Sequence, residues 1–432
     1  MSLVQTPEVR SQPRKTRFPR EELVLLLVLA AVQFTSIVDF VIMMPLGPQY
    51  MRVFGITPEQ FGHVVSAYGL SAGVAGFFAG LFLDRIDRKR ALLWVYTGFA
   101  IGTFLCAVAP RYELLTLARA VAGAFGGVTG AVIMAIIGDV IPESRRGAAM
   151  GVVMSSFSLA SVFGVPAGLT LANRFGWHAP FFMLAGLSLV ILAAAAMTLP
   201  KMDRHVAGAL RVEPWPFMRD LLSHPSHLVA LSFMALLTFA SFFINPYLST
   251  FMVSNAGFRE SDLSWMYLLG GVATIFTMNL IGRWADRSGK RPVFVVMALS
   301  SALPAVILTR LSVTPLAVSL SLTTFYMVCM SGRMVPAMAM LTSTVTSRFR
   351  GSFMSFNAAV QHLSAGVASD LAGRVLLSEK GTGRLLRFEW LGVASAVLTV
   401  VCVLVSLKLR PAAKVSSSES AALAATEGIE IM

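Results

Sequence analysis

Charge is scarce in this 432-residue chain: 13% of its residues are Asp, Glu, Lys or Arg, about half the share usual in soluble domains. With 56% apolar residues and a mean hydropathy of +0.73, both a soluble globular domain and a disordered chain are excluded, and lipid becomes the expected solvent. Cysteine is nearly absent. Cys106, Cys329 and Cys402 each sit inside an apolar run without a CxxC or Cys/His pairing, which excludes a disulfide framework or a zinc site. Six scattered His offer no metal-binding constellation, so a membrane-embedded metal enzyme is not expected. Acidic residues are also few, 22 against 35 basic ones, leaving a net charge of +13. A nucleic-acid partner would need that charge gathered on a soluble face. Here it lies between long apolar stretches, so no nucleic-acid partner is expected.

What the chain does have is apolar length. Twelve stretches meet the roughly 20-residue requirement for a membrane-spanning helix. They begin near Glu22, Gln60, Ala91, Tyr112, Gly147 and His178, and then near Leu228, Asp262, Pro292, Pro315, Gly351 and Arg387. The first run is too long for a signal-peptide core and reads as a retained span. The expected organisation is a disordered basic tail (1–20), a six-helix bundle (21–200), a linker with Pro214, Trp215 and Pro216 (201–227), a second six-helix bundle (228–410) and a disordered tail (411–432). Alternate loops and the two tails hold 24 of the 35 basic residues, the opposite loops nine. By the positive-inside rule both termini are expected in the cytoplasm. Tyr50, Tyr112, Trp177 and Trp390 near span ends are expected to form an interfacial belt.

The two halves repeat a motif. Gly80-Leu-Phe-Leu-Asp84-Arg85-Ile-Asp87-Arg88-Lys89 follows span 2, and Gly282-Arg-Trp-Ala-Asp286-Arg287-Ser-Gly289-Lys290-Arg291 follows span 8. Arg145-Arg146-Gly147 and Arg348-Phe349-Arg350-Gly351 then open spans 5 and 11. Duplicated six-helix halves suit a rocking transporter with its site between them. On these motifs, over residues 20 to 410, the sequence resembles the major facilitator superfamily, in its twelve-span drug and metabolite proton-antiporter branch. The resemblance implies an all-α membrane fold of two pseudo-symmetric six-helix bundles. It also implies a cytoplasmic gating role for Gly80, Asp84, Arg85 and Arg88 and for Gly282, Asp286 and Arg287. Asp84 and Asp286 would sit at the positive N-termini of spans 11 and 5.

Span 4 carries Leu117-Ala-Arg119-Ala-Val-Ala-Gly123, similar to the family motif whose arginine is tied to proton transfer, with Gly123, Gly126, Gly127 and Gly130 on one helical face. Gly164-Val-Pro166-Ala-Gly168 in span 5 is similar to the antiporter motif, departing from it at the intervening Val165 and at Leu169. Ionisable groups inside spans are costly and mark function by default. Asp39, with Thr35 and Ser36 on its face, lies about 25 Å into a core of about 30 Å, level with Arg119. The two are expected to pair, either as a proton-coupling site or as a structural tie. Thr238, Ser241 and Asn245 in span 7, Tyr326 and Arg333 in span 10, and Asn357 and Gln361 in span 11 form polar stripes expected to face a substrate cavity. Arg333 is either a substrate contact or a structural hydrogen-bonding group. His362 and Asp370 are candidate relays, Asp370 with Arg374 as a neighbour, and Asp139 belongs to a loop network.

The chain therefore reads as a monomeric, proton-driven secondary transporter of the cell membrane, the inner membrane in a Gram-negative cell. It needs no cofactor and exports small amphipathic or cationic compounds. The rival reading is a symporter or facilitator importing a sugar or organic anion. No nucleotide-cradling P-loop occurs, and nothing points to an enzyme.

Overall fold

A chain surrounded by hydrocarbon must satisfy its own backbone hydrogen bonds, and apolar runs of this length do so as helices. In the computed structural model, which describes residues 18–82, 86–202, 223–345, 350–379 and 381–410, every expected span is helical. The expected N-terminal tail up to residue 17, most of the linker (203–222) and the C-terminal tail from 411 lie outside the described residues. The first set of spans comprises α1 (Arg20–Ile42) with its short continuation α2 (Gly47–Phe54), α3 (Pro58–Phe82), α4 (Arg88–Val108), α5 (Tyr112–Val140), α6 (Glu143–Leu159) joined through a π-turn at Ala160–Gly164 to α7 (Val165–Phe175), and α8 (Ala179–Thr198). The second set comprises α9 (Pro225–Phe242) with α10 (Asn245–Ser254), α11 (Glu260–Ser288), α12 (Lys290–Leu308), α13 (Leu316–Gly332) with α14 (Met334–Ser343), α15 (Arg350–Val375) and α16 (Phe388–Leu407).

Among the described residues, ten of these spans are long and apolar enough to cross a membrane by length and composition. The tenth is broken at Arg333, and the eleventh, α15, carries Asn357, Gln361, His362 and Asp370. Spans 1 and 7 break at equivalent places, each followed by a proline at the second helical position, Pro48 and Pro246. Proline cannot continue an upstream helix but opens a new one readily.

The loops carrying Asp87, Pro142, Lys201 and Gly289 lie at one end of the bundle, called the basic face. Gly55, Gly176, Gly257 and Arg310 lie at the other, the far face. One apolar core near the far face is shared by both sets, joining Val38, Ile42 and Trp177 to Tyr247, Phe251 and Met266. Toward the basic face the cores are separate: Leu25, Leu29, Ile133 and Val153 in the first set, Phe233, Phe294, Leu341 and Phe353 in the second. The helices α3 and α15 lie together along the seam because glycines let their backbones meet. A Cβ on Gly69 would come within 2.9 Å of the Gly366 Cα. Helix α11 packs on α7 and the π-turn, the far half of span 5.

Two expectations need correction. Tyr50 and Trp177 do not line an interfacial belt: they are buried, 0% and 4% exposed, because the Trp177 ring packs on α2, with centroids 5.2 Å from both Tyr50 and Phe54. Trp390 is 64% exposed, as a belt residue should be. The connection between spans 11 and 12 is also not purely helical. It holds a two-residue antiparallel pair, Leu377 opposite Leu386, clasped by Asn255, whose side chain bonds both the nitrogen and the oxygen of Leu385 at 2.9 Å.

Candidate functional site

Asp39 is 0% and Arg119 1% exposed, yet they come from different spans, α1 and α5. Arg119 Nη1 donates to Asp39 Oδ2 at 2.8 Å and to the main-chain oxygen of Asp39 at 3.2 Å. The other carboxylate oxygen, Oδ1, accepts from Thr103 Oγ1 of α4 at 3.0 Å. The guanidinium carbon lies 4.4 Å from the centre of the Tyr68 ring on α3, a cation–π contact. Small residues permit this convergence. Gly102 lets α4 press against α5, where a Cβ would stand 2.6 Å from the Ala122 nitrogen and would push Thr103 out of reach. Gly164 and Gly168 of the antiporter-like motif pack on Val38 and Ile42, the neighbours of Asp39, while Pro166 opens α7 behind them. Glycines 123, 126 and 127 seat α5 on Tyr68 and Ala72 of α3, whereas Gly130 faces open space.

The second set has a different polar centre. Arg333, 0% exposed, stands at the break between α13 and α14. Its Nη1 donates to Ser301 and Thr399 hydroxyls, each at 3.1 Å, and its Nη2 to Ser241 Oγ at 2.8 Å and the Leu237 oxygen at 3.5 Å. Every acceptor is neutral, and Nε has no partner. Tyr326 of α13 donates to Asn245 Oδ1 at 3.0 Å, tying span 10 to span 7 a second time.

Between the sets lies a cluster of rings. Phe40, next to Asp39 in sequence but about 100° round the helix, meets Tyr68 at 5.1 Å, Phe242 of α9 at 5.9 Å and His362 of α15 at 5.8 Å between centroids. At the far face the sets are joined by polar contacts. Arg52 pairs with Glu260, the second arm at 3.3 Å. Tyr247 donates to the Ser369 oxygen at 2.9 Å and the Pro58 oxygen at 3.3 Å. His63 lies 3.3 Å from Asp370, which Arg374 also holds at 2.8 Å, and its other ring nitrogen lies 3.2 Å from the Tyr112 hydroxyl.

The remaining expected site residues divide. Thr35 and Ser36 turn into the first set, Thr35 toward the Tyr96 hydroxyl at 2.8 Å and Ser36 onto the Val32 oxygen at 3.0 Å, so neither joins the ring cluster. Thr238 Oγ1 and Asn357 Oδ1 are buried without partners, and Gln361 is half-buried beside His362. Of the first gating motif, Asp84 and Arg85 lie outside the described residues. Gly80 ends near the close of α3, and Arg88 holds Asp139 at 2.7 Å. Asp87 caps α4 through the Arg90 nitrogen at 2.8 Å and anchors Met202 at 2.7 Å. In the second motif a Cβ on Gly282 would meet only Val335, at 3.9 Å, and Asp286 and Arg287 are exposed. The α11 helix that carries Asp286 packs on the far half of span 5, α7 and the π-turn. Sequence reading missed Thr103, Tyr68, Ser301, Thr399 and the Phe40 cluster. Only Phe40 carried a signal, as an aromatic beside the one deep carboxylate.

Comparison with known proteins accords with this architecture. The family profile described as Major Facilitator Superfamily matches residues 29–247 and again 230–427. The chain is 26% identical over 360 residues to the uncharacterized MFS-type transporter YceJ of Bacillus subtilis (strain 168), covering 83% of this chain and 90% of the relative. It is 22% identical over 303 residues to Multidrug resistance protein 2 of the same organism, covering 68% and 74%. Among solved structures, the fold is similar to a bacterial homolog of the human lysosomal transporter Spinster in an inward-facing, unoccupied conformation, with a TM-score of 0.72, 15% identity, and 92% and 100% of the two chains covered. With both halves matched by the family profile, the chain belongs to the Major Facilitator Superfamily, and it is a membrane transporter with an alternating-access fold.

Proposed function

We propose that this transporter exports small amphipathic compounds from the cytoplasm in exchange for protons, with its basic face cytoplasmic and with Asp39 and Arg119 as the coupling pair. The observation that carries the reading is the placement of that pair: a fully buried carboxylate and guanidinium bonded at 2.8 Å, linked through Tyr68 and Phe40 to the seam between the two sets. A proton on Asp39 removes the charge that holds Arg119. The guanidinium then keeps its contact with Tyr68, and Tyr68 packs on Phe40, which touches Phe242 and His362 of the opposite set. Protonation is thereby felt where the halves meet. The shared core and the Arg52–Glu260, Tyr247 and His63–Asp370 contacts hold the far face shut, so the conformation is one that loads from the basic face. The resemblance to a relative named for multidrug resistance supports export. The protein acts as a monomer in the lipid bilayer, with the proton gradient as its energy source and no cofactor.

The test is transport by the purified full-length chain in proteoliposomes, with a pH gradient imposed in either direction. Wild type is expected to accumulate an amphipathic probe against its gradient only when protons run the opposite way, and Asp39→Asn is expected to equilibrate it. Uphill transport by Asp39→Asn equal to wild type would remove the coupling assignment. Probe moving with the protons would turn export into symport.

A further inference from the structure

We infer that Arg333 is a charge filter: it makes the transport path favour neutral or anionic amphipaths and discriminate against solutes with a fixed positive charge. The inference rests on the seam between the sets being the transport path, and it narrows the substrate class beyond the reading above. An arginine remains charged in any protein environment. Arg333 has four hydrogen bonds, all to neutral oxygens, and one N–H without a partner. No carboxylate neutralises it among the described residues. Asp39 is closed off in the other set by Arg119 and Thr103, and every other described carboxylate lies in a loop or within six residues of the end of a span. The interior of the described spans thus holds Asp39, Arg119 and Arg333, a net charge of +1.

That charge is close to the path. Ser241, which accepts from Arg333 Nη2 at 2.8 Å, is only partly buried, and the next residue, Phe242, meets Phe40 across the seam. A cationic solute entering between these rings finds no free carboxylate and an uncompensated guanidinium one hydroxyl away. A unit charge acting over about 10 Å at an effective dielectric of about 20 changes a binding ratio about 15-fold.

The experiment compares three probes on one scaffold, anthracene-9-methanol, anthracene-9-carboxylate and (anthracen-9-ylmethyl)trimethylammonium. Counterflow is measured in proteoliposomes of the full chain without a pH gradient, and binding to the purified protein by fluorescence anisotropy. Wild type is expected to favour the neutral probe over the cation by about 15-fold, and the anionic probe over the cation by about 200-fold, since those two differ by two unit charges. Ser301→Asp, which supplies a counter-ion beside Nη1 while keeping Arg333, is expected to bring the cation ratio close to unity. Arg333→Lys is expected to preserve the preference, and Thr399→Asp provides a second neutralising variant should Ser301→Asp fail to fold. A wild-type preference for the cation overturns the inference. So does an unchanged ratio in a folded neutralised variant, which would leave Arg333 a purely structural tie. Because the ratio is read without a gradient, failure of proton coupling leaves it untouched, and the two readings fail separately.

Discussion

The two sets of spans solve the same problem, a guanidinium in the membrane interior, in opposite ways. Arg119 is neutralised by a carboxylate, with a hydroxyl and an aromatic ring in support. Arg333 is solvated by three hydroxyls and a carbonyl from spans 7, 9 and 12. The first arrangement can switch, since one proton cancels half of it. The second cannot switch, since none of its acceptors titrates near neutral pH. The first centre is therefore suited to coupling and the second to a constant field and to holding the broken helices of spans 7 and 10 together.

Stability measurements can break this comparison. Arg119→Met strands a buried carboxylate and is expected to cost about 3–5 kcal/mol, the usual consequence of removing one partner of a buried pair. Adding Asp39→Asn to it should restore part of the loss. Arg333→Met strands no charge, and its hydroxyl partners already bond their own helices: Ser241 to the Leu237 oxygen at 2.9 Å, Ser301 to Ala298 at 2.7 Å and Thr399 to Ser395 at 2.8 Å. Its expected cost is about 1–3 kcal/mol. Thermal unfolding of both variants in one detergent is the check, and an equal or larger loss for Arg333→Met would mean that the hydroxyl cradle is the tighter centre.

Those same bonds explain what was legible. Asp39, Arg119 and Arg333 stand out in the sequence because ionisable residues inside apolar runs are expensive and rare. All twelve spans are visible as well, their observed starts lying within four residues of the expected ones. The partners Ser301, Thr399 and Thr103 are not visible. A serine or threonine in an apolar helix bonds its own preceding turn whether or not it faces a neighbour, so sequence alone does not separate the two cases. Thr35 is the converse error: at the right spacing from Asp39, it bonds Tyr96 inside the first set. Tyr50 and Trp177 depart from the expected belt because position near a span end says nothing about whether a neighbouring segment packs over the ring, as α2 and Trp177 do on each other.

A smaller effect tests whether the first centre communicates with the seam. Tyr68→Phe keeps a ring beneath Arg119 and is expected to be nearly silent, while Tyr68→Leu removes the cation–π contact, worth about 0.5–2 kcal/mol, together with the packing on Phe40. Measured as the change in proton-to-probe stoichiometry, Tyr68→Leu should loosen coupling more than it lowers stability. An unaltered stoichiometry would sever the link from Asp39 to Phe40.

The smallest energetic effect belongs to the far face. Arg52 is 64% exposed, and pairs of that kind contribute about 0–1 kcal/mol, so Arg52→Ala should leave thermal unfolding almost unchanged. The pair nevertheless joins α2 of one set to the start of α11 of the other, and it must part whenever the far face opens. A contribution of even about 0.7 kcal/mol changes the ratio of closed to open molecules about threefold. Labels placed on α2 and α11 and read by distance measurements should show that shift toward the open state in Arg52→Ala, and again in Glu260→Gln. An unchanged distribution in both would place the closing energy of the far face in its shared apolar core alone.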